Sequence, residues 1–297
     1  MILVTGATGS IGGFLVRDLR RAGVPFRAMV RDEAKGRALG CAFVVGDFDD
    51  PGSVARAMEG ADRLFLNAGG AVPVPGEQPM VRQQKTAVDA AVKAGVSKVV
   101  KVSVWNARPG GRLAEGAHWE IEEYLKAAGP AWAILQPSGF MQNFVTGAGA
   151  FTAGGGLVNA YGDARVSYID CRDIAACGAA LLTGDGVGTH VLTGPQGLTG
   201  AEIARALSSA LGEPVGLVDL TPAELAAALR EQGLPESFAD DLRVLSEQVA
   251  AGSLAATTPA VEDLTGRAAR SFEHFLADET EALRAGFLAA RAQSGGQ

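Results

Sequence analysis

A glycine-rich turn stands almost at the start of the chain, directly after an apolar run, and it restricts the folds that the chain can adopt. The run Met1-Ile2-Leu3-Val4 predicts a short buried strand, and the turn leads into an amphipathic helix over residues 10–22. In such a unit the glycines let the backbone approach a bound diphosphate, and the helix N-terminus offers unpaired N–H groups and partial positive charge. We therefore expect a dinucleotide to bind at Gly6, Thr8, Gly9, Ser10, Ile11 and Gly12.

Each glycine of the turn has its own expected role. Gly6 permits the tight turn, Gly9 leaves room for a pyrophosphate, and Gly12 lets the helix pack close to the strand. The spacing is G-x-x-G-x-x-G, whereas the common fingerprint is G-x-G-x-x-G. Because a glycine-rich turn also occurs without any ligand, the dinucleotide interpretation depends on the strand before the turn and the helix after it.

Strand and helix patterns alternate over the first 136 residues. Continuous apolar strands separated by helices are typical of a parallel sheet that is covered on both faces, so we predict an α/β fold with a doubly wound Rossmann sheet. The predicted strands are Ile2–Val4, Phe26–Val30, Ala42–Val45, Arg63–Leu66, Val99–Val104 and Ala131–Leu135. The predicted helices cover residues 10–22, 32–39, 52–59, 77–94 and 114–128.

The pattern becomes less regular after Pro137. We predict a cofactor domain over residues 1–136, a smaller and mainly helical C-terminal part over 137–291 with segments that return to the sheet, and a tail over 292–297. The features expected in the C-terminal part are a mobile loop at Gly147–Gly156, a helix at Asp170–Leu182, a strand at Thr189–Leu192, capping boxes at Thr199 and Thr221, and otherwise short helices.

Composition excludes several classes of function. The chain has 297 residues, 47% of them hydrophobic, and a net charge of −7 without a basic cluster, so nucleic acid is not expected as a partner. No apolar run is long enough to span a membrane, and the first strand leaves no room for a signal peptide. Three cysteines without a C-x-x-C pair, and three scattered histidines, predict neither disulfides nor a metal site. We therefore expect a cytoplasmic protein.

The residues after the second and third strands bear on which nicotinamide cofactor binds. An Arg at the end of the second strand pairs with the 2′-phosphate of NADP, whereas a carboxylate binds the 2′-hydroxyl of NAD. The chain has Arg31 followed by Asp32, so we favour NADP(H) and keep NAD(H) open; the alternative role of Asp32 is to cap the next helix. Asp47 is expected at the adenine amino group with Phe48 beside the ring, although Asp47 is also typical of a turn or helix cap.

Further cofactor contacts are expected where later strands end. Strand ends at this edge of an open α/β sheet border the ligand crevice. The fourth strand runs into Asn67, Ala68 and Gly69, the fifth ends at Ser103, and Pro137 follows the sixth. We assign these five residues to the cofactor, with Ser103 also placed to contact substrate.

The usual proton-transfer dyad of short-chain dehydrogenases, Tyr-x-x-x-Lys, is absent from the sequence. The residues four positions after Tyr124, Tyr161 and Tyr168 are Ala, Arg and Arg. The helix that would carry the dyad has His118 and Glu122 on one face instead. Because a carboxylate beside an imidazole favours its protonated form, we predict that this pair acts as a general acid; a purely structural pair is the alternative.

These motifs together resemble the NmrA-like branch of the atypical short-chain dehydrogenase/reductases over about residues 1–277. The resemblance implies a Rossmann cofactor domain, a substrate cleft and NADPH-dependent quinone reduction. The sequence departs from the family pattern at Gln136, where an Arg is common. The motifs that carry the resemblance are Thr5–Gly9, Val30-Arg31, Gly46-Asp47, Ala94–Val96, Val102-Ser103, His118–Glu122, Gln136–Asn143, Tyr168–Asp173 and Leu264–Arg267.

The aromatic and apolar residues after the fifth and sixth strands predict a cleft for a flat hydrophobic substrate. They are Trp105, Phe140, Met141 and Phe144, and Asn143 offers a polar contact; for each alone, core packing is the alternative. We therefore predict an NAD(P)H-dependent oxidoreductase that acts on a quinone or a related flat aromatic carbonyl compound. The resemblance leaves two alternatives: a tailoring enzyme of aromatic polyketide biosynthesis, either an unusual oxygenase or a ketoreductase, and a non-catalytic NAD(P)-sensing regulator. A homo-oligomer is also left open.

Overall fold

The computed structural model describes residues 1–74, 76–146, 151–152 and 154–292. Part of the predicted loop at Gly147–Gly156 and most of the predicted tail lie outside these residues. In chain order the strands are β1 (Ile2–Val4), β2 (Phe26–Val30), β3 (Phe43–Val45), β4 (Arg63–Leu66), β5 (Lys98–Val102), β6 (Ala131–Pro137), β7 (Leu157–Asn159), β8 (Gly188–Leu192) and β9 (Leu217–Asp219). The helices are α1 (Ser10–Arg21), α2 (Glu33–Ala38), α3 (Pro51–Met58), α4 (Pro79–Lys93), α5 (Ala114–Ala127), α6 (Asn143–Thr146), α7 (Cys171–Thr183), α8 (Gly200–Leu211), α9 (Pro222–Glu231), α10 (Glu236–Ala250), α11 (Ala260–Thr265) and α12 (Phe272–Ala292).

The main sheet has seven parallel strands in the order β3-β2-β1-β4-β5-β6-β8. The strand order reverses between β1 and β4, so the crevice at their carboxyl ends is where ligands bind in such folds. The doubly wound α/β fold predicted from the alternating pattern is confirmed. The strands predicted at Ile2–Val4, Phe26–Val30 and Arg63–Leu66 have the observed bounds.

The chain forms two compact units, and the first contains the main sheet. It comprises Met1–Pro137, Cys171–Leu192 and Ala260–Arg267. One of its apolar cores includes Leu3, Leu64 and Val99 from the central strands, with Val54 and Val88 from the covering helices. These strands are apolar because both faces of a parallel sheet are covered by helices. The cofactor-domain boundary at residue 136 stays a prediction.

The second unit comprises Ser138–Asp170, Thr193–Pro259 and Ala268–Gln297. It holds a two-stranded parallel sheet of β7 and β9, which the sequence did not indicate, and a separate apolar core built largely from α8 and α12. Both predicted capping boxes are present, at Thr199 with Glu202 and at Thr221 with Glu224. The prediction of mostly short helices is wrong for α10, with 15 residues, and α12, with 21.

In the first unit, the buried Lys98 and the half-buried Arg63 cap the C-terminal end of α7. Lys98 on β5 donates to the carbonyl oxygens of Leu181 and Gly184 at 2.6 and 3.0 Å. Arg63 on β4 donates to those of Leu182 and Gly184 at 2.5 and 3.0 Å. Positive charge stabilises a helix C-terminus, where the last carbonyl groups lack partners within the helix. The C-terminal end of α7 is thereby fixed to two strands whose bonded residues precede it by 83 to 121 positions in the chain.

Candidate functional site

The glycine turn between β1 and α1 has the geometry of a diphosphate cradle. Gly6 adopts a left-handed φ of +63°, and a Cβ there would lie 2.8 Å from the carbonyl oxygen of Asn67. A Cβ on Gly12 would lie only 2.2 Å from the carbonyl oxygen of Gly6. A Cβ on Gly9 would meet no atom closer than 3.4 Å, so the backbone beside it is open to a ligand. The turn therefore needs glycine at Gly6 and Gly12 for its own geometry, and its open side lies at Gly9.

The N-terminus of α1 presents the donors that an anionic ligand needs. Thr8, Gly9 and Ser10 are exposed, and the N-cap residue Gly9 makes no side-chain capping hydrogen bond. The first N–H groups of a helix have no partner within the helix, and they carry partial positive charge. Ile11 is buried on the opposite side of the first turn, so its expected contribution is limited to its backbone N–H. These residues fit the diphosphate of a dinucleotide.

The end of β4 is held against the glycine turn by Thr5. The Thr5 hydroxyl donates to the carbonyl oxygen of Asn67 at 2.8 Å and accepts from the Asn67 N–H at 2.9 Å. Asn67 and Ala68 are half-buried, whereas Gly69 is exposed and an added Cβ there would meet nothing within 4 Å. The segment predicted to pass the cofactor therefore borders the turn.

The residues predicted at the adenosine end lie around the starts of α2 and α3. Arg31 is exposed, while Asp32 accepts from the N–H of Lys35 at 2.8 Å and is the N-cap of α2, so the capping alternative for Asp32 is correct. Asp47 accepts from the N–H of Asp49 at 3.0 Å, which is a turn contact. Phe48 packs against the apolar core of the first unit that was described above. Arg31 is thus an exposed positive charge at the end of β2.

A carboxylate of the same region is tied to α4. Asp49 accepts hydrogen bonds from Arg82 at 2.6 Å and Gln83 at 3.0 Å. These two bonds hold the pKa of Asp49 below its usual value, and the bond from Arg82 has the larger effect. The charge of Arg31 lowers the pKa further. The negative charge on Asp49 is therefore already compensated, so it does not oppose a phosphate near Arg31.

A cluster of buried polar side chains lies where β5 and β6 meet α5. Ser103 donates to Glu122 Oε1 at 2.5 Å, and Gln136 donates to the two Glu122 oxygens at 2.9 and 3.2 Å. The Nζ atom of Lys126 lies 3.7 Å from Glu122 Oε2. Glu122 is only 2% exposed, so its charge is stabilised by these donors and the nearby cation. Gln136 thus serves as a neutral donor to Glu122.

His118 is paired with a lysine that the sequence analysis missed. Lys101, fully buried on β5, places Nζ 2.7 Å from His118 Nδ1 and donates to the carbonyl oxygen of Val102 at 3.0 Å. The predicted His118–Glu122 contact is therefore wrong: Lys101 on β5 is the partner of His118, and Ser103, directly after β5, is a partner of Glu122. An available signal was a lysine between Val100 and Val102 in a strand that must be buried on both faces.

The electrostatics of this pair also correct the expected state of His118. Burial lowers the pKa of His118 well below its usual value, and the charge of Lys101 lowers it further. The imidazole is consequently neutral at pH 7, and not the imidazolium expected from a neighbouring carboxylate. Burial also lowers the pKa of Lys101 to about 7, although the charge of Glu122 acts in the opposite direction.

The predicted substrate residues divide between the two units. Trp105, in the first unit, is half-buried, and its backbone N–H donates to the carbonyl oxygen of Pro137 at 3.0 Å. Phe140, in the second, is half-buried and bridges to Ile169. Met141 is 1% exposed in the core of the second unit, so the structure supports the core-packing alternative for it.

Asn143 and Phe144 line a cavity of about 250 Å³ that lies within the second unit. No sequence motif indicated the other residues of its wall. Gly139 is one of them. A Cβ at this position would lie 2.8 Å from the Tyr168 ring, so the ring can approach the backbone this closely only at a glycine. The further lining residues are Leu157, Val158, Ala160, Tyr161, Val166, Tyr168, Leu225, Val249 and Leu254.

Within the described residues, no helix combines the length and apolarity required to cross a bilayer.

Comparisons with known proteins agree with this geometry. The model of the NmrA-like family matches residues 1–275. The chain is 38% identical to an NAD(P)H azoreductase of Xenophilus azovorans over 282 residues, which are 93% of this chain and 96% of that protein. Among solved structures, an NADPH-dependent quinone oxidoreductase of Escherichia coli in complex with NADPH is similar with a TM-score of 0.80 and 26% identity, over 94% of this chain and 99% of that one. The triphenylmethane reductase of Citrobacter sp. with NADP(H) is similar with a TM-score of 0.79 and 25% identity, over the same shares of the two chains.

Proposed function

The chain belongs to the NmrA-like family and is an NAD(P)-dependent oxidoreductase, and we propose that it passes hydride from NADPH to a quinone or a related flat aromatic carbonyl compound. The observation that carries the cofactor assignment is the glycine turn. Its backbone leaves room for a ligand beside Gly9 and leaves no room for a side chain at Gly12, where the helix packs against the turn. Relatives that are named for the reduction of quinones and dyes support the acceptor class.

For the cofactor, we assign the diphosphate to the backbone from Gly6 to Gly12 and the 2′-phosphate of NADPH to Arg31. When bound, the cofactor supplies the hydride. Asn67 to Gly69 border the turn and Ser103 and Pro137 lie at the same edge of the sheet, so we assign them to the ribose and nicotinamide end. This assignment rests on strand ends that the sheet brings to one edge.

For the acceptor, we propose the cavity in the second unit. Its wall is mainly apolar and contains Phe144, Tyr161 and Tyr168, whose ring faces suit a flat aromatic molecule, while Asn143 offers an amide. Phe144 and Tyr168 are in edge contact, with ring centroids 5.2 Å apart. Trp105 and Phe140 remain predicted contacts, and Met141 acts behind the wall as packing.

Quinones accept hydride with little proton assistance, because the negative charge spreads over the ring and both oxygens. The protein then contributes mainly binding and orientation. For acceptors that need a proton, we propose His118 as the donor from its neutral imidazole and Glu122 as the residue that orients Ser103.

The function is tested by following NADPH consumption with a panel of benzoquinones, naphthoquinones, aromatic carbonyl compounds and azo dyes. We expect turnover with quinones at rates well above the reaction without enzyme. Tight NADPH binding without turnover of any acceptor would contradict the proposal and favour the NAD(P)-sensing alternative. Turnover confined to aromatic polyketide intermediates would favour the tailoring-enzyme alternative.

Replacing Arg31 by alanine is expected to raise KM for NADPH by about 10- to 100-fold, because a charged hydrogen bond to the 2′-phosphate is worth about 1.5–3 kcal/mol. KM for NADH should change little, since NADH has no such phosphate. The matched control is Arg37→Ala, which removes another exposed arginine, one that pairs with Glu33 at 2.8 Å on α2. Equal losses with both cofactors in Arg31→Ala would argue against this role.

One further expectation accompanies this function. The three cysteines are reduced thiols, two of them buried, which fits the cytoplasmic location that we propose.

A further inference from the structure

Lys101 is unusual because its side chain is fully buried in the first unit and has no full counter-charge in direct contact. Its recorded hydrogen-bonding partners are His118 Nδ1 at 2.7 Å and the carbonyl oxygen of Val102 at 3.0 Å. Burying an ammonium in such surroundings is costly, and folds rarely retain it without a use. Neither the candidate cofactor contacts nor the acceptor cavity accounts for this lysine.

The contact with Lys101 determines which nitrogen of His118 carries the proton. An ammonium has three donors and no lone pair, so Nδ1 of His118 must accept, and the proton of the neutral imidazole must be on Nε2. Within the described part of the chain, Nε2 has no hydrogen-bond partner. Lys101 thus keeps an N–H donor of His118 available on the far side of the ring.

Building on the proposed function, we propose that Lys101 acts through His118 to supply the proton that accompanies hydride transfer. The acceptor carbonyl gains the hydride, with its electron pair, that the bound cofactor supplies, and its oxygen then takes the proton from His118 Nε2. As the Nε2–H bond breaks, Nδ1 gains a proton from Lys101, whose ammonium becomes a neutral amine. After the product leaves, water protonates Nε2 and Nδ1 returns its proton to Lys101, which restores the starting state.

The charges around the pair favour this direction of proton flow. Burial lowers the pKa of Lys101 to about 7, while Glu122 on α5 raises it, so the ammonium is populated at neutral pH and gives up its proton readily. The pKa of His118 is well below its usual value, so His118 passes a proton on and does not store one. The other groups bonded to Glu122 are the neutral Ser103 and Gln136, with Lys126 at 3.7 Å.

This proton supply extends the range of acceptors. A reduced quinone anion is stabilised by its ring and gains little from a proton donor, whereas the alkoxide formed from an aromatic aldehyde or ketone is a strong base and requires one. Lys101 and His118 therefore take the place of the missing Tyr-x-x-x-Lys dyad and allow aromatic carbonyl compounds as substrates.

The test compares Lys101→Met with Lys98→Met. Methionine keeps the length and apolar stem of lysine, and Lys98 is another buried lysine on the same strand, bonded to α7 instead of α5. In Lys101→Met, we expect kcat with an aromatic aldehyde to fall by at least about 100-fold and kcat with a quinone by less than about tenfold. Lys98→Met should retain both rates per folded molecule.

The pH profile provides a readout that a merely structural role would not change. Because the acidic form of Lys101 is the active one, kcat with the aldehyde should fall as pH rises above about 7 in the wild type, and this fall should be absent from Lys101→Met. The solvent deuterium isotope effect should be lost from the variant as well. An unchanged pH profile in Lys101→Met, or equal losses with aldehyde and quinone, would overturn the proposal.

A measurement without turnover separates this proposal from the proposed function. In ¹⁵N NMR of the wild type, His118 should show the Nε2–H tautomer and stay neutral through pH 6 to 8, and Lys101 should titrate near pH 7. Imidazolium at His118 in that range, an Nδ1–H tautomer, or a Lys101 that titrates near its ordinary 10.5 would overturn the proposal. If the NMR result is as expected but the wild type reduces no acceptor at all, the proposed function fails and the Lys101–His118 arrangement does not.

Discussion

Gly12→Ala is expected to weaken NADPH binding by about 100-fold or more, which corresponds to about 2.7 kcal/mol, and to lower the melting temperature as well. The new Cβ would lie 2.2 Å from the carbonyl oxygen of Gly6, 2.7 Å from its carbonyl carbon and 2.8 Å from the Cα of Ala7. All three are backbone atoms, so no side chain can rotate to relieve the overlap. Helix α1 must move away from the turn, and the N–H groups that receive the diphosphate move with it.

The neighbouring glycine provides the control. A Cβ on Gly13 would meet only the carbonyl oxygen of Ala7, at 3.8 Å, which is an ordinary contact. Gly13→Ala should therefore leave NADPH binding unchanged and stabilise α1 by about 0.5–1 kcal/mol. Titration calorimetry with NADPH and thermal unfolding of both variants check the two expectations. If Gly12→Ala binds NADPH as tightly as Gly13→Ala does, then the close packing at Gly12 does not shape the cofactor site.

Lys101→Met is expected to make the first unit more stable at pH 6 to 7, and this advantage should disappear as pH rises. The folded-state pKa of Lys101 is about 7 and its ordinary value is 10.5. Below about pH 7 both the folded and the unfolded chain carry the ammonium, so the cost of burying it is present in full. Between about 7 and 10.5 the folded chain has lost that proton while the unfolded chain still holds it, and the wild type gains stability.

The size of the effect follows from the shift. A pKa lowered this far corresponds to a destabilisation of the folded state by at most about 5 kcal/mol, which methionine would remove. Methionine also loses the two hydrogen bonds of Lys101, each of which stabilises the folded state by about 1 kcal/mol. We therefore expect Lys101→Met to be about 2–3 kcal/mol more stable at neutral pH and to lose that advantage near pH 10. The deletion of a buried charge in favour of an apolar residue of similar length has stabilised other proteins.

Tryptophan fluorescence during urea unfolding measures this difference, because Trp105, Trp119 and Trp132, the only tryptophans of the chain, all lie in the first unit. Titratable groups that lie far from Lys101 cancel in the difference between the two proteins, whereas His118, whose pKa the charge of Lys101 lowers, contributes to it. A stability difference that stays constant from pH 6 to pH 10 would mean that Lys101 is protonated in the folded state throughout. The Lys98→Met variant should instead be destabilised, since it leaves carbonyl groups at the end of α7 without their donor.

The first unit was predictable because its fold depends on short-range patterns. An apolar run such as Ile2–Val4 is fully buried between helices, and the alternation of such runs with amphipathic helices specifies the parallel sheet. Gly6 and Gly12 were identifiable for the same reason: the turn between a strand and a helix has few solutions. The cofactor contacts predicted at the strand ends, such as Asn67 and Ser103, followed from the rule that parallel strands end at one edge of the sheet.

The polar cluster was not predictable to the same degree, because its contacts join residues from different elements. Helical spacing places His118 and Glu122 on one face. It does not reveal that Lys101 on β5 contacts His118 and that Ser103, directly after β5, contacts Glu122. In the same way, the cavity in the second unit combines Phe144 with Tyr161, Leu225 and Val249, which are far apart in the chain. No local pattern brings such residues together.

The capping of α7 by Lys98 and Arg63 has a consequence for how the protein is made. A ribosome completes β4 and β5 well before α7, so in the growing chain these two cations have no carbonyl groups to bind and the sheet lacks β8, its edge strand next to β6. Since α11 (Ala260–Thr265) also belongs to this unit, most of the chain must be synthesised before the unit is complete. Until then the incomplete sheet exposes apolar surface. Partly folded chains with such surface are prone to aggregate, and chaperones protect them.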